Sequence, residues 1–311
     1  MSKIYDMSAV HTQNPCNIFS LKTDLITSTS PTKMNIIIPI IPASVRNIMD
    51  FTLVVAGISL NAFLGLFIVL NSTMHTSTNC YIVSLVLSNF VILLEPLERV
   101  FHWIFDIHLE MNLDYIFLVS FATSILTIIL LNIEAYVVIC QKNSPLRKLL
   151  LKNSTAIKGI LFIWTMCIMA SAIELNLYDH FVKEIMYDIY VSSTVMFLLF
   201  PCLIFVLLDY FIIYDLKRSK SITGTWPSKD VKRFIFLVGV NIGFFLTVAP
   251  YRIVRAIALI TQTYYNNMAI EITYTMVKMY PIILPIIYFI ISKEFRQLSR
   301  DKTAVSMEPT S

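Results

Sequence analysis

Charge is the scarcest commodity in this chain. Only 14% of its 311 residues are Asp, Glu, Lys or Arg, against about 25% in soluble domains, so a wetted surface cannot be assembled around it. With 57% hydrophobic residues and a mean hydropathy of +0.72, the composition excludes a pair of soluble domains of the kind the length would otherwise allow. Glycine is rare too, at six residues beside 12 prolines, which excludes collagen-like or low-complexity chains. Five cysteines (Cys16, Cys80, Cys140, Cys167, Cys202) lie far apart without a Cys-x-x-Cys pair, so neither a zinc site nor a disulfide framework is indicated. The net charge of +4 is too small to suggest nucleic acid. No catalytic constellation is present: the histidines are expected in loops or the N-terminal segment, with no HExxH motif, and no cofactor is implied.

What remains is apolar sequence in long runs. Seven of them, 51–71, 80–94, 115–133, 159–173, 189–208, 234–251 and 272–292, are uncharged except for Lys278 in the last. A membrane-crossing helix needs roughly 20 mainly apolar residues, and lipid leaves unpaired backbone groups no alternative to helix. The expected fold is all-α, a seven-transmembrane helix bundle. Residues 1–45 form a polar N-terminal segment, 46–300 the bundle and 301–311 a tail. The first segment lacks the charged-then-apolar pattern of a signal peptide, so the first span is expected to direct its own insertion.

Loop charge sets the expected orientation. Lys142, Arg147, Lys148, Lys152 and Lys158 follow the third span, and Lys217, Arg218, Lys220, Lys229, Lys232 and Arg233 follow the fifth. The loops on the other side hold only Lys183. The bias of Lys and Arg toward the cytoplasm places the N-terminus outside and the C-terminus inside, with the basic loops available to anionic lipid. The sequons at Asn71 and Asn153 then fall on the cytoplasmic side and read as chance matches. Residues 292–300, apolar at Phe295 and Leu298 and basic elsewhere, suit a short amphipathic eighth helix at the interface.

The punctuation of the spans carries a resemblance. In order, the chain shows Asn61; Leu85-Val86-Leu87-Ser88-Asn89; Ser124 ten residues before Glu134-Ala135-Tyr136; Trp164; Pro201; Phe244 six residues before Pro250; and Leu284-Pro285-Ile286-Ile287-Tyr288. Taken together these landmarks resemble the class A, rhodopsin-like G protein-coupled receptors, over about residues 45–300. The resemblance implies a plasma-membrane receptor that binds an extracellular ligand, passes the signal by helix rearrangement, and meets a heterotrimeric G protein or arrestin. Its prolines at 201, 250 and 285 would be hinges.

Departures from the family pattern are as informative. The helix-two acid is Asn89, and the helix-seven Asn is Leu284. Glu134-Ala135-Tyr136 lacks the arginine that meets the G protein, so Asp230, where relatives carry the acid that locks it, loses that partner. Val248 replaces the helix-six tryptophan. Asp209 replaces the helix-five tyrosine and is expected near Tyr288. Glu110 stands about where the first cysteine of the family's disulfide would be. Weak G protein activation is expected.

Charges inside a membrane cost at least about 2.5 kcal/mol each on insertion scales, so retained ones call for an explanation. Glu95, Glu98, Arg99, Arg252, Arg255 and Lys278, placed on the resembled fold, approach its extracellular half. One reading is mutual neutralisation, Glu95 with Lys278. The other is a charged ligand cavity with Tyr251, Trp103, Phe105 and Tyr280 as walls. Arg252 and Arg255, three apart on one helix face, suit a peptide carboxylate, so a neuropeptide or other carboxyl-bearing ligand is expected. An amine ligand is disfavoured because the nearest helix-three acid, Asp114, lies at the end of its run. Opsin-like retinal attachment at Lys278, a non-signalling partner-binding protein and a transporter stay open as alternatives.

Overall fold

The computed structural model describes residues 42–107, 113–180, 189, 191–261 and 267–291. Eight α-helices lie among them: α1 (Ala43–Leu70), α2 (Ser77–Phe105), α3 (Leu113–Cys140), α4 (Pro145–Leu150), α5 (Asn153–His180), α6 (Phe200–Thr223), α7 (Ser228–Thr261) and α8 (Asn267–Ile291). All but the short α4 are long and apolar enough to cross a membrane, and no strand occurs among the described residues. The expected fold class is therefore observed. The expected amphipathic segment 292–300 and the Lys183 loop lie outside the described residues.

The helices outrun the uncharged stretches that announce them. α1 begins at Ala43 and so carries Asp50 inside the helix, where it is 2% exposed. The upper end of the bundle is here the end at which α1 starts; the lower end is where α1 stops. At the lower end α1 passes to α2 through a 3-10 turn, Ser72–Met74, and Thr76 caps α2 by accepting the Asn79 N–H at 3.3 Å. Such a cap satisfies one of the four orphan N–H groups at a helix start.

α2 and α3 run through the middle, against a core built from Leu64, Ile82, Leu85, Ile125, Ile128 and Phe244, each at most 1% exposed. The outward faces carry Leu, Ile, Phe and Met, as at Leu66, Phe162, Leu203 and Leu246. That inversion suits hydrocarbon as the surrounding solvent. Two glycines set close approaches: a Cβ on Gly57 would stand 2.9 Å from Leu93 Cδ1, and one on Gly243 would stand 3.0 Å from Ile283 Cγ2. α1 thus sits hard against α2, and α7 against α8.

The prolines reshape the helices locally. Pro201 has no N–H to return to the Phe197 carbonyl, and the turn before it, Val195–Leu199, widens to a π-helix in which the Phe200 N–H reaches Val195 O. Pro285 likewise leaves the Pro281 carbonyl without its helical donor, and the Asn61 amide of α1 donates to that oxygen at 2.7 Å. This stretch of α8 is thereby fastened to α1.

Candidate functional site

The charged residues of the upper end fall into two groups. Asp50 of α1, Glu95 and Arg99 of α2, and Lys278 of α8 close into a ring. Lys278 Nζ stands 3.1 Å from Asp50 Oδ1 and 4.0 Å from Glu95 Oε2, while Arg99 reaches Glu95 Oε1 at 2.6 Å and Asp50 Oδ2 at 3.1 Å. Two anions meet two cations, so the ring is neutral as a unit. Lys278 and Arg99 also lie over the Tyr274 ring, at 4.6 Å and 5.9 Å from its centroid. The neutralisation anticipated between Glu95 and Lys278 is present, but Asp50 is the nearer partner of the lysine. Glu98 is half-buried on the same turn as Arg99.

The second group belongs to α7. Arg252 is 2% exposed, and its guanidinium carbon lies 4.2 Å from the Phe121 ring centroid and 5.8 Å from that of Phe117, within the range of cation–π attraction. Arg255 Nη1 donates to the Tyr251 hydroxyl at 2.9 Å. Tyr251 is itself buried between Phe117 and Tyr274, at centroid distances of 5.8 and 5.4 Å. The aromatic contacts of Tyr251 and Tyr274 therefore link the arginine pair to the ring. Of the four wall residues, Tyr251 and Tyr280 are buried, whereas Trp103 and Phe105 are 48% and 59% exposed at the end of α2. A cavity of about 680 Å³ opens elsewhere, between Leu126 and Ile129 of α3 and residues between 189 and 201.

Below this level, polar side chains stitch helices together. Asn89 Nδ2 donates to Asn61 Oδ1 at 2.8 Å, and Ser88 meets Ser124 at 2.7 Å and the Ser120 carbonyl at 2.8 Å. Trp164 Nε1 donates to Ser84 at 3.1 Å, tying α5 to α2. Phe244 stacks on Phe121 and meets Tyr280 edge-on, with Val248 buried one turn above. A closed amide pair joins α3 to α7: Asn132 Nδ2 donates to Asn241 Oδ1 at 3.0 Å, and Asn241 Nδ2 returns the bond at 2.9 Å. Asp209 of α6 lies near Asn241.

At the lower end, Glu134 is 1% exposed and accepts from the hydroxyls of Ser77 at 2.5 Å and Thr78 at 3.1 Å. Ala135 is buried beside it, and Tyr136 packs toward Phe211. Asp230 pairs with Lys142 at 3.7 Å. Tyr288, expected near Asp209, donates to Asn79 Oδ1 of α2 at 3.2 Å, because the cap at Thr76 brings the first turn of α2 beneath the end of α8.

Several of these groups were not singled out in the sequence. Asp50 immediately precedes an uncharged run, and its burial inside α1 is what turns that flanking position into a ring member. Asn132 and Asn241 are polar residues inside apolar runs, a signal that was present. Arg233 counts, on sequence alone, as one more topology charge.

This architecture is that of a seven-helix membrane protein. The family model "7 transmembrane receptor (rhodopsin family)" matches residues 60–288, well over half of the chain, and the chain belongs to that family. It is a multi-pass membrane protein. Among curated relatives it is similar to the Pyrokinin-1 receptor of Drosophila melanogaster, 28% identical over 180 residues, which cover 52% of this chain and 41% of that receptor. The chain thus matches about two-fifths of the length of that relative.

Proposed function

We propose that the chain is a plasma-membrane receptor whose N-terminus faces outside, and that its upper end takes an extracellular ligand bearing a carboxylate, a peptide in the first instance. The carrying observation is the α7 pair: two guanidiniums within one turn, Arg252 seated over the Phe121 ring and Arg255 held by the Tyr251 hydroxyl. Guanidiniums stay charged at neutral pH and match carboxylates bidentately. The neutral ring of Asp50, Glu95, Arg99 and Lys278 supports a division of labour, with the ring bracing α1, α2 and α8 while Arg255 meets the ligand above the buried Arg252 and Glu98 stands at the rim. Similarity to a receptor named for pyrokinin makes pyrokinin-type ligands the first to try.

A second reading is favoured by Ala135, buried where relatives present an arginine: a receptor that binds ligand and engages partners, arrestin among them, with weak activation of a G protein. Both are tested by screening a peptide library, each member as free acid and as amide, against the tagged receptor, with arrestin recruitment and nucleotide exchange read together. A free-acid hit whose affinity falls on Arg255→Ala supports the carboxylate site. Robust exchange with ordinary efficacy would remove the second reading, and hits indifferent to Arg255→Ala would remove the site.

A further inference from the structure

We infer that Arg233 of α7 is the positioning residue of the lower end: its guanidinium, standing one hydroxyl away from the buried Glu134 of α3, holds α7 closed against α2 and α3. This deepens the receptor reading and rests on it for its signalling consequence, though not for its geometry.

Glu134 presents an unusual balance. A carboxylate that is 1% exposed inside an apolar bundle needs a cation or several donors. Its Oε1 has two hydroxyls, from Ser77 and Thr78, whereas its Oε2 is buried with no hydrogen-bond partner among the described residues. The cation acting on it comes from α7. Arg233 Nη2 donates to Thr78 Oγ1 at 3.3 Å, and Thr78 donates onward to Glu134. One hydroxyl therefore relays between a guanidinium and a carboxylate, and the relay crosses three helices.

The neighbour on α3 leaves room for this arrangement. Beside Ala135 a cavity of about 10 Å³ is bounded by Thr78, Glu134, Arg233, Phe236 and Leu237. A longer side chain at position 135 would fill it and crowd Arg233. The other acid near the start of α7, Asp230, is engaged by Lys142. Acid on α3 and base on α7 thus form a latch. Outward movement of the lower end of α7 breaks the Arg233–Thr78 bond and exposes both charges to whatever enters between the helices.

The test reads conformation without any transducer. Spin labels at Lys148→Cys, on α4, and Lys229→Cys, at the start of α7, both exposed, report the opening in full-length receptor with its native cysteines replaced. Arg233→Ala and Glu134→Gln are each expected to raise the outward-shifted population several-fold. The exchange Glu134→Arg with Arg233→Glu is expected to return the distribution toward that of the parent. Should Arg233→Ala fail to fold, Thr78→Val removes the relay alone and carries the same expectation. An unchanged distance distribution in a folded Arg233→Ala or Thr78→Val variant overturns the latch. A shifted distribution without nucleotide exchange on any G protein keeps the latch and counts against the signalling reading instead.

Discussion

Replacing Lys278 with methionine is the most exacting test of the upper ring, because the ring is neutral only when complete. The variant keeps most of the side-chain volume but removes one cation, leaving Asp50, Glu95 and Arg99 with a net negative charge in a site where Asp50 is 2% and Glu95 8% exposed. Removing one partner of a buried pair costs about 3–5 kcal/mol, because the remaining charge stays desolvated. At 1.4 kcal/mol per decade, the folded-to-unfolded ratio should fall roughly a hundred- to several-thousand-fold. Asp50→Asn added to Lys278→Met restores neutrality and keeps the shorter contact, Arg99 to Glu95 at 2.6 Å. Glu95→Gln added to Lys278→Met also restores neutrality but keeps only the 3.1 Å contact of Arg99 with Asp50. Both doubles should therefore recover stability, the Asp50 double further than the Glu95 double. The assay is the thermal midpoint of detergent-solubilised receptor beside surface biotinylation of intact cells. Additive losses in the doubles, or a Lys278→Met variant as stable as the parent, would refute the ring as a structural unit. In that event Lys278 would return to the list of ligand contacts.

Three further outcomes follow from named contacts. With native cysteines replaced, a cysteine at exposed Thr225, in the turn between α6 and α7, should resist an impermeant thiol reagent in intact cells and react after permeabilisation; labelling from outside would overturn the orientation. Asn132→Leu alone strands the Asn241 amide and should cost about 1–3 kcal/mol, while Asn132→Leu with Asn241→Leu should recover part of it; equal loss in the single and double variants, read as thermal midpoints, would show that the amide pair is not the cause. Gly57→Ala pushes a methyl to within 2.9 Å of Leu93 Cδ1 and should cost about 1–3 kcal/mol by overpacking, with Leu93→Ala relieving the clash in the same thermal assay.

Why the spans were legible and the site was not comes down to the range of the forces that set each. A helix that crosses lipid is decided locally, by roughly 20 apolar residues whose backbone has no other partner, and each apolar run from 51–71 to 272–292 announced its helix. The landmark residues were legible for a related reason. Asn61, Asn89 and Pro285 are joined through one missing N–H, that of Pro285, and the amides that compensate for it at the Pro281 carbonyl, so their identities carry the contact. Charges behave differently. Whether Lys278 binds a ligand or pairs internally depends on which carboxylate the fold delivers to it, and the nearest, Asp50, is 228 residues away in sequence. The composition of α1 could not say that Asp50 turns inward, since it precedes the uncharged run on which the span was recognised. The same holds at the lower end, where eleven loop charges were read together as a statement about orientation and one of them, Arg233, faces the buried Glu134 through Thr78. A membrane makes this distinction sharper than water would. In water an exposed arginine is one of many; beside hydrocarbon a buried carboxylate must find its cation. For a divergent receptor, pairing every embedded acid with the bases that the topology can bring within reach therefore says more than asking which family residue is missing. Applied to Glu134, that question leads to Arg233 on α7 rather than to the absent arginine beside it on α3.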